Sequence, residues 1–577
     1  MEDQKFENLL NLALDASESE LQNSAQLREG YCENEKTWEV IIKYSGTLDT
    51  VRALGEDIKI YELLNHFAVI EMPKVKIAEL GKLENIEYVE LPKRIYFSIL
   101  DAKVESCITV LQSRPGVSSS GGVKVPGAVM LSGRGILIGI VDSGIDIFHE
   151  DFRNEDGTSR ILYVWDQEND VVYGKEQLDE VLETNNPQKI IFDSSGHGTS
   201  VAGICAGVGR GENGRYRGIA YESQLIVVKM ASPSPEGFPR TTELMRGVDF
   251  CYRRADELRM PLTVNLSFGN NYGSHAGNSL VEQYLNDVSA MGRSLVVVGS
   301  GNEGSANIHT SVSLQERQTV PVEFSVGEYQ SSFGLQIWKM YADEVELALI
   351  TPTGRRIVID TERMGTYRYQ ETGTKILIYY GEPSPFSIYQ EIYFDFIPLE
   401  SYVTAGIWQL ELFPRRIVYG NVDLWLPARQ SLSSGTGFLQ PVEDITLTIP
   451  SAAEKVLTVG AYDGKNKTAA SFSGRGFTWV QNQVKPDIVA PGVNIITTSL
   501  GGGYRPVTGT SFAAPIVSGA AALAMQWGIV NGNDPFLYGE KIKAYFQKGA
   551  RPLPGFTEYP NPQVGWGALC LKDSLPV

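Results

Sequence analysis

At 577 residues, with 42% hydrophobic and 21% charged side chains, the chain has the composition of a folded globular protein and exceeds one ordinary domain, so two or three domains are expected. A net charge of -19 and a pI near 4.9 exclude the basic face that nucleic acid or anionic lipid requires. No apolar run approaches bilayer length, and Met1-Glu2-Asp3-Gln4-Lys5 lacks a basic region followed by an apolar one, so the expectation is no signal peptide, no membrane span and synthesis in the cytoplasm.

Residues 1–30 carry an acidic helical pattern with Phe6, Leu9, Leu10 and Leu14 on its apolar side. Residues 36–97 read as a small α+β module, with strands over 38–44, 67–71 and 86–91 and helices over 48–54 and 75–83. An exposed connection over 95–133, with a Ser- and Gly-rich stretch at 115–122, follows. From 135 onward, a continuous apolar run over 135–141 predicts a parallel strand covered on both faces, and further buried-strand runs follow over 224–230, 262–267, 294–299 and 455–460. Helical patterns lie between them, one through Leu244, Val248, Tyr252, Ala255 and Leu258. Such α/β sheets place their sites outside the carboxyl ends of the strands.

Short alternating strands with turn signals fill 306–429, predicting an all-β insert of sandwich or jelly-roll type, and the α/β pattern resumes near 446. Insertion into a surface loop costs little closure entropy and leaves the host sheet intact. The divisions expected are therefore 1–98, 99–305, 306–429 and 430–577. The five cysteines, Cys32, Cys107, Cys205, Cys251 and Cys570, have no paired spacing and read as buried free thiols.

Gly509-Thr510-Ser511-Phe512-Ala513-Ala514-Pro515 leads into a small-residue run suited to a buried helix, with Pro515 placed where a first turn tolerates a missing N-H. A serine at that end meets unpaired backbone N-H groups and the positive end of the helix dipole, which favour an oxyanion; a plain N-capping serine is the alternative. Serine hydrolysis also needs an imidazole and a buried carboxylate. His197, in Asp193-Ser-Ser-Gly-His-Gly-Thr-Ser-Val-Ala-Gly203, has glycines on both sides and a small-residue helical run after it; His66 belongs to the small N-terminal module, and His149, His275 and His309 sit in loop-like stretches. Asp142 ends an apolar strand, whereas Asp146 and Asp151 fall in the loop beyond. Asn302, in Gly299-Ser-Gly-Asn302-Glu-Gly304, puts an amide donor past another strand end.

In the order Asp, His, Asn, Ser, these stretches resemble the subtilisin-like serine proteases. The resemblance covers about 130–304 and 446–570. It implies a parallel α/β sheet flanked by helices, Asp142, His197 and Ser511 as catalytic triad, and Asn302 as oxyanion donor. It places Ser267, Phe268, Gly269, Gly299 and Glu303 around the first substrate pocket, where Glu303 either pairs with a basic side chain or is a solvated loop carboxylate. An extended protein or peptide substrate would pair with 266–269 and a loop over 231–239. Residues 1–98 resemble a propeptide that stays bound as inhibitor after self-cleavage near Ser98. No cofactor or metal is implied: Asp151 matches a position that ligates calcium in relatives, but Arg210, Arg215 and Arg217 make 207–218 unlike a calcium loop. The insert, the long propeptide and the lack of an export signal are similar to clostridial Csp-type proteases, spore-associated enzymes that activate a cortex-lytic precursor at germination. Two readings stay open beside this: a general-purpose peptidase without a spore role, and a catalytically silent scaffold.

Overall fold

The computed structural model describes residues 5–6, 10–11, 14, 31–32, 36–63, 66–90, 98–112, 130–184, 193–232, 239–478 and 482–576. They divide into two compact units, 1–97 and 98–577. Most of the helix read over 1–30, and the core of the loop read over 231–239, lie outside the described residues.

In the first unit, an antiparallel sheet is built on Thr37–Tyr44, which pairs with Phe67–Pro73 on one edge and with Tyr31–Cys32 and Ile86–Glu90 on the other; Lys59–Leu63 closes it. Alternate residues Trp38, Val40 and Ile42 point to one face, as the two-residue period of a strand demands, and bury against Ile77 and Leu80 of the helix Lys74–Leu80.

The second unit is organised by a nine-stranded sheet whose parallel centre runs Leu457–Asp463, Ser294–Gly299, Leu262–Leu266, Leu137–Asp142, Gln224–Lys229 and Ile161–Asp166. The runs 137–141 and 295–298 have no polar alternation because both faces are claimed; in Leu262–Leu266 the polar Thr263 and Asn265 alternate with apolar residues and are buried with them. Leu295 and Val297 pack in the layer of the helices His197–Ala206 and Thr510–Met525; Val296 and Val298 pack in that of Thr241–Leu258 and Leu280–Ala290. Each such side chain contributes roughly 1.5–3 kcal/mol by leaving water.

Two antiparallel sheets, of six and five strands, interrupt this core and enclose one of their own around Phe324, Phe394, Phe396 and Trp408. The five-stranded sheet takes Gly437–Phe438 as an edge against Val320–Val326.

Three expectations need correction. Cys107 and Cys570 form a disulfide, with Cα atoms 4.9 Å apart across 463 residues of sequence, a proximity that local spacing cannot reveal; Cys205 and Cys251 are buried free thiols. Within the 95–133 connection, 98–112 is not exposed loop but carries the short helices Ser98–Glu105 and Thr109–Gln112, which bury Ala102 and Leu111 in the main core and are too brief to display a helical period. The helix 510–530 is long and apolar enough to cross a membrane by length and composition, yet 89% of its most apolar window is buried within the fold, so its apolarity is that of a core helix.

Candidate active site

Three adjacent strands of the sheet, Leu137–Asp142, Leu262–Leu266 and Ser294–Gly299, run in one direction and bring Asp142, Ser267 and Asn302 to the same edge. Asp142 is fully buried; its Oδ1 lies 2.7 Å from His197 Nδ1 and also accepts from the Ser143 backbone N-H at 2.7 Å. A carboxylate on Nδ1 holds the neutral imidazole in the tautomer that leaves Nε2 free to accept a proton. This approach requires Gly198 behind the imidazole, where a Cβ would meet the Gly144 carbonyl oxygen at 2.2 Å.

The histidine turn is fastened by Asp193, a residue whose role sequence reasoning missed although it opens the stretch that holds His197. Its buried carboxylate accepts from Ser143 Oγ at 2.7 Å, Gly196 N at 2.9 Å and Thr199 N at 2.8 Å, so it caps the helix His197–Ala206 and ties it to the loop after Asp142. An acid shortly before a helix start was the available signal. Burial works against the Asp193 charge, but the Ser143 and Thr199 hydrogen bonds hold its carboxyl below the usual range. Burial also works to lower the His197 pKa; the Asp142 carboxylate outweighs it, Asp193 adds to the effect, and the net displacement is upward. Phe268 and Phe512 flank the ring at 5.5 and 5.4 Å between centroids.

Ser511 is the second residue of the helix Thr510–Met525. Its Oγ donates to the Ser267 carbonyl oxygen at 3.2 Å, and no hydrogen bond joins it to His197 among the described residues. Pro515 is not in the first turn, as the sequence alone suggested, but is the sixth residue of the helix. Asn302 is oriented by necessity: its Oδ1 faces the Thr510 backbone N-H at 3.0 Å and the Thr510 hydroxyl at 3.1 Å, and an N-H can meet only an acceptor. The Nδ2 is therefore the atom left to donate.

His197, Ser511, Asn302, Ser267 and Phe268 line one cleft of about 290 Å³, together with Gly269, Gly299 and Glu303. Ala428 and Gln430, from the returning end of the inserted sheets, complete its wall, a contribution that no local motif signals. Glu303 is buried rather than solvated and accepts from the Arg429 backbone N-H at 3.3 Å; burial raises its pKa, with Arg429 opposing. Ser98 opens the helix Ser98–Glu105, and 91–97 lie outside the described residues.

The other histidines of this unit sit elsewhere. His275 and His309 stack on Trp425 at 4.3 and 4.8 Å, and His149 faces the Gly503 carbonyl. The Asp151 carboxylate is occupied by Gly209 N at 3.0 Å, Arg210 N at 2.8 Å and the Tyr504 hydroxyl at 2.8 Å, which is a set of donors and not a cation site.

The family profile described as "Subtilase family" matches residues 133–388 and 421–567, and that described as "Csp protease B prodomain" matches residues 4–93. The solved structure of the Clostridium perfringens CspB protease is similar, with a TM-score of 0.75 and 35% identity, covering 82% of this chain and 96% of that one. Serine protease AprX of Bacillus subtilis strain 168 is 37% identical over 151 residues, 23% of this chain and 32% of AprX. Minor extracellular protease Vpr of the same strain is 24% identical over 470 residues, 77% of this chain and 52% of Vpr. The matched region thus spans about a third to about a half of those two relatives' own length.

Proposed function

The chain belongs to the subtilase family, and we propose that it works as a serine endopeptidase. The observation that carries this is the 2.7 Å contact between Asp142 and His197 in a cleft that also holds Ser511 and Asn302. Ser511 Oγ turns from the Ser267 carbonyl toward His197, attacks the scissile carbonyl and gives its proton to Nε2. His197 then protonates the leaving amine, and Asp142 supports the imidazolium. Asn302 Nδ2 and the Ser511 backbone N-H receive the oxyanion. Mass-spectrometric mapping of the adduct of a fluorophosphonate probe tests this: labelling of Ser511 is expected, and an unlabelled protein favours the silent scaffold.

Residues 1–97 act as its propeptide, removed near Ser98 and retained as inhibitor. The prodomain match over 4–93 and the division into compact units at 97 and 98 support this reading. The likeness to the CspB protease supports a Csp-type role, maturing a precursor hydrolase at spore germination; incubation with candidate precursors, followed by mapping of the cuts, separates this from a general-purpose peptidase. The Cys107–Cys570 disulfide suits a site of action away from cytosolic thiol reductants.

Two consequences concern the cleft. Glu303 selects basic side chains in the first pocket, because a charge-assisted hydrogen bond to a carboxylate is stronger than a neutral one and Glu303 is shielded from bulk water. Glu303→Gln is expected to lower kcat/KM for Lys or Arg substrates by about tenfold relative to Leu substrates, in the range of a charge pair partly shielded from water; an unchanged cleavage profile removes the assignment. Asp193 lends its charge to His197. In Asp193→Asn the imidazolium loses that support, its pKa falls, and the acidic limb of kcat/KM moves to lower pH; an unmoved limb leaves Asp193 a merely structural cap.

A further inference from the structure

Inside an α-helix, each carbonyl oxygen accepts from the N-H four residues on. Pro515 has no N-H, so within the helix Thr510–Met525 the carbonyl without its normal donor is that of Ser511. The structure supplies another donor: Ser267 Oγ lies 3.0 Å from the Ser511 carbonyl oxygen. A carbonyl oxygen only accepts, so the Ser267 hydroxyl is the donor of this bond. With its proton committed there, Ser267 Oγ accepts from Asn265 Nδ2 at 2.9 Å, which leaves Asn265 Oδ1 to accept from Ser518 Oγ at 2.9 Å. Asn265 is fully buried, so this chain of bonds is anchored in the sheet rather than at the surface.

We propose that Ser267 is a positioning residue for the nucleophile, acting through the Ser511 carbonyl that Pro515 leaves without a helical donor; the proposal rests on the hydrolase reading above. Ser511 exchanges two contacts with Ser267: its carbonyl accepts from the Ser267 hydroxyl, and its own hydroxyl donates to the Ser267 carbonyl. Only the second is broken when Oγ swings to His197. The first holds the Ser511 backbone in place during the swing, and with it the Ser511 N-H that faces the oxyanion. A helix with an ordinary residue at 515 would hold that backbone by its own ladder. With proline there, the task passes to the strand that also lines the substrate cleft, so nucleophile and substrate strand share one register.

The test is a double-mutant cycle on the full chain, with Ser267→Ala, Pro515→Ala and the pair, read by the rate of fluorophosphonate labelling and by kcat and KM on a peptide substrate. Labelling of the parent at Ser511 establishes the hydrolase reading; an unlabelled parent overturns that reading and this proposal together. With a labelled parent, Ser267→Ala is expected to slow labelling and lower kcat about tenfold, in the range for an acceptor left unpaired. Adding Pro515→Ala restores the helical N-H and is expected to recover most of that loss. If Ser267→Ala reduces the yield of folded protein, recovery of that yield by Pro515→Ala is the same result read in stability. A loss confined to KM, as removal of a mere substrate-lining group would give, or a loss that Pro515→Ala does not recover, overturns the proposal.

Discussion

Ser511→Ala abolishes peptide hydrolysis. The expected fall in kcat is about 10⁶-fold, the size of the loss known for the nucleophile of subtilisin. Removing any member of a triad that acts as a unit leaves only the contribution of the oxyanion donors and of binding. The fold is expected to survive, because among the described residues Ser511 Oγ makes one 3.2 Å hydrogen bond, to the Ser267 carbonyl, and Thr510 keeps its two contacts with Asn302. The melting temperature therefore stays within a few degrees of the parent, about the effect of one hydrogen bond. The same variant tests self-processing: N-terminal sequencing is expected to find the parent chain starting near Ser98 and the variant still carrying residues 1–97. Identical termini in the two proteins refute self-cleavage, and peptide hydrolysis at the parent rate places the nucleophile elsewhere.

Legibility in the sequence depended on whether the physical cause is local. Parallel strands showed because burial on two faces removes polar residues from runs such as 137–141, and Asp142 was placed because it is the first charge after that run. The imidazole of His197 stood out because Gly196 and Gly198 bracket it; the structure gives the second of these a reason, a backbone carbonyl where a side chain would stand. What stayed hidden depends on contacts distant in sequence. The Cys107–Cys570 bond spans 463 residues. Ala428 and Gln430 reach the cleft only because the inserted sheets return to the host domain beside it. Pro515 was misplaced by several residues because small side chains blur where a helix begins, and that error concealed the open carbonyl of Ser511. Glu303 read more readily as a solvated loop carboxylate until its burial and its Arg429 contact were seen.

Asn302 carries the second large effect, and its geometry allows two roles to be separated. Asn302→Ala is expected to lower kcat by about 10²–10³-fold, roughly 2.7–4 kcal/mol of transition-state stabilisation, as for the corresponding donor of subtilisin. KM should change little, because the donor acts on charge that develops only in the transition state. The same substitution also removes Oδ1, which accepts from the Thr510 N-H at 3.0 Å and the Thr510 hydroxyl at 3.1 Å, so the loss alone does not distinguish a missing oxyanion donor from a loosened serine turn. Asn302→Asp distinguishes them. An aspartate keeps an oxygen for Thr510, and so preserves the turn, but puts a negative charge where the oxyanion forms. If Asn302 acts as the donor, Asp is at least as damaging as Ala, since repulsion replaces attraction. If its contribution is to brace Thr510, Asp recovers activity toward the parent. Recovery by aspartate would therefore remove Asn302 from the oxyanion site, while a deeper loss in a variant with the parent's melting temperature would fix it there.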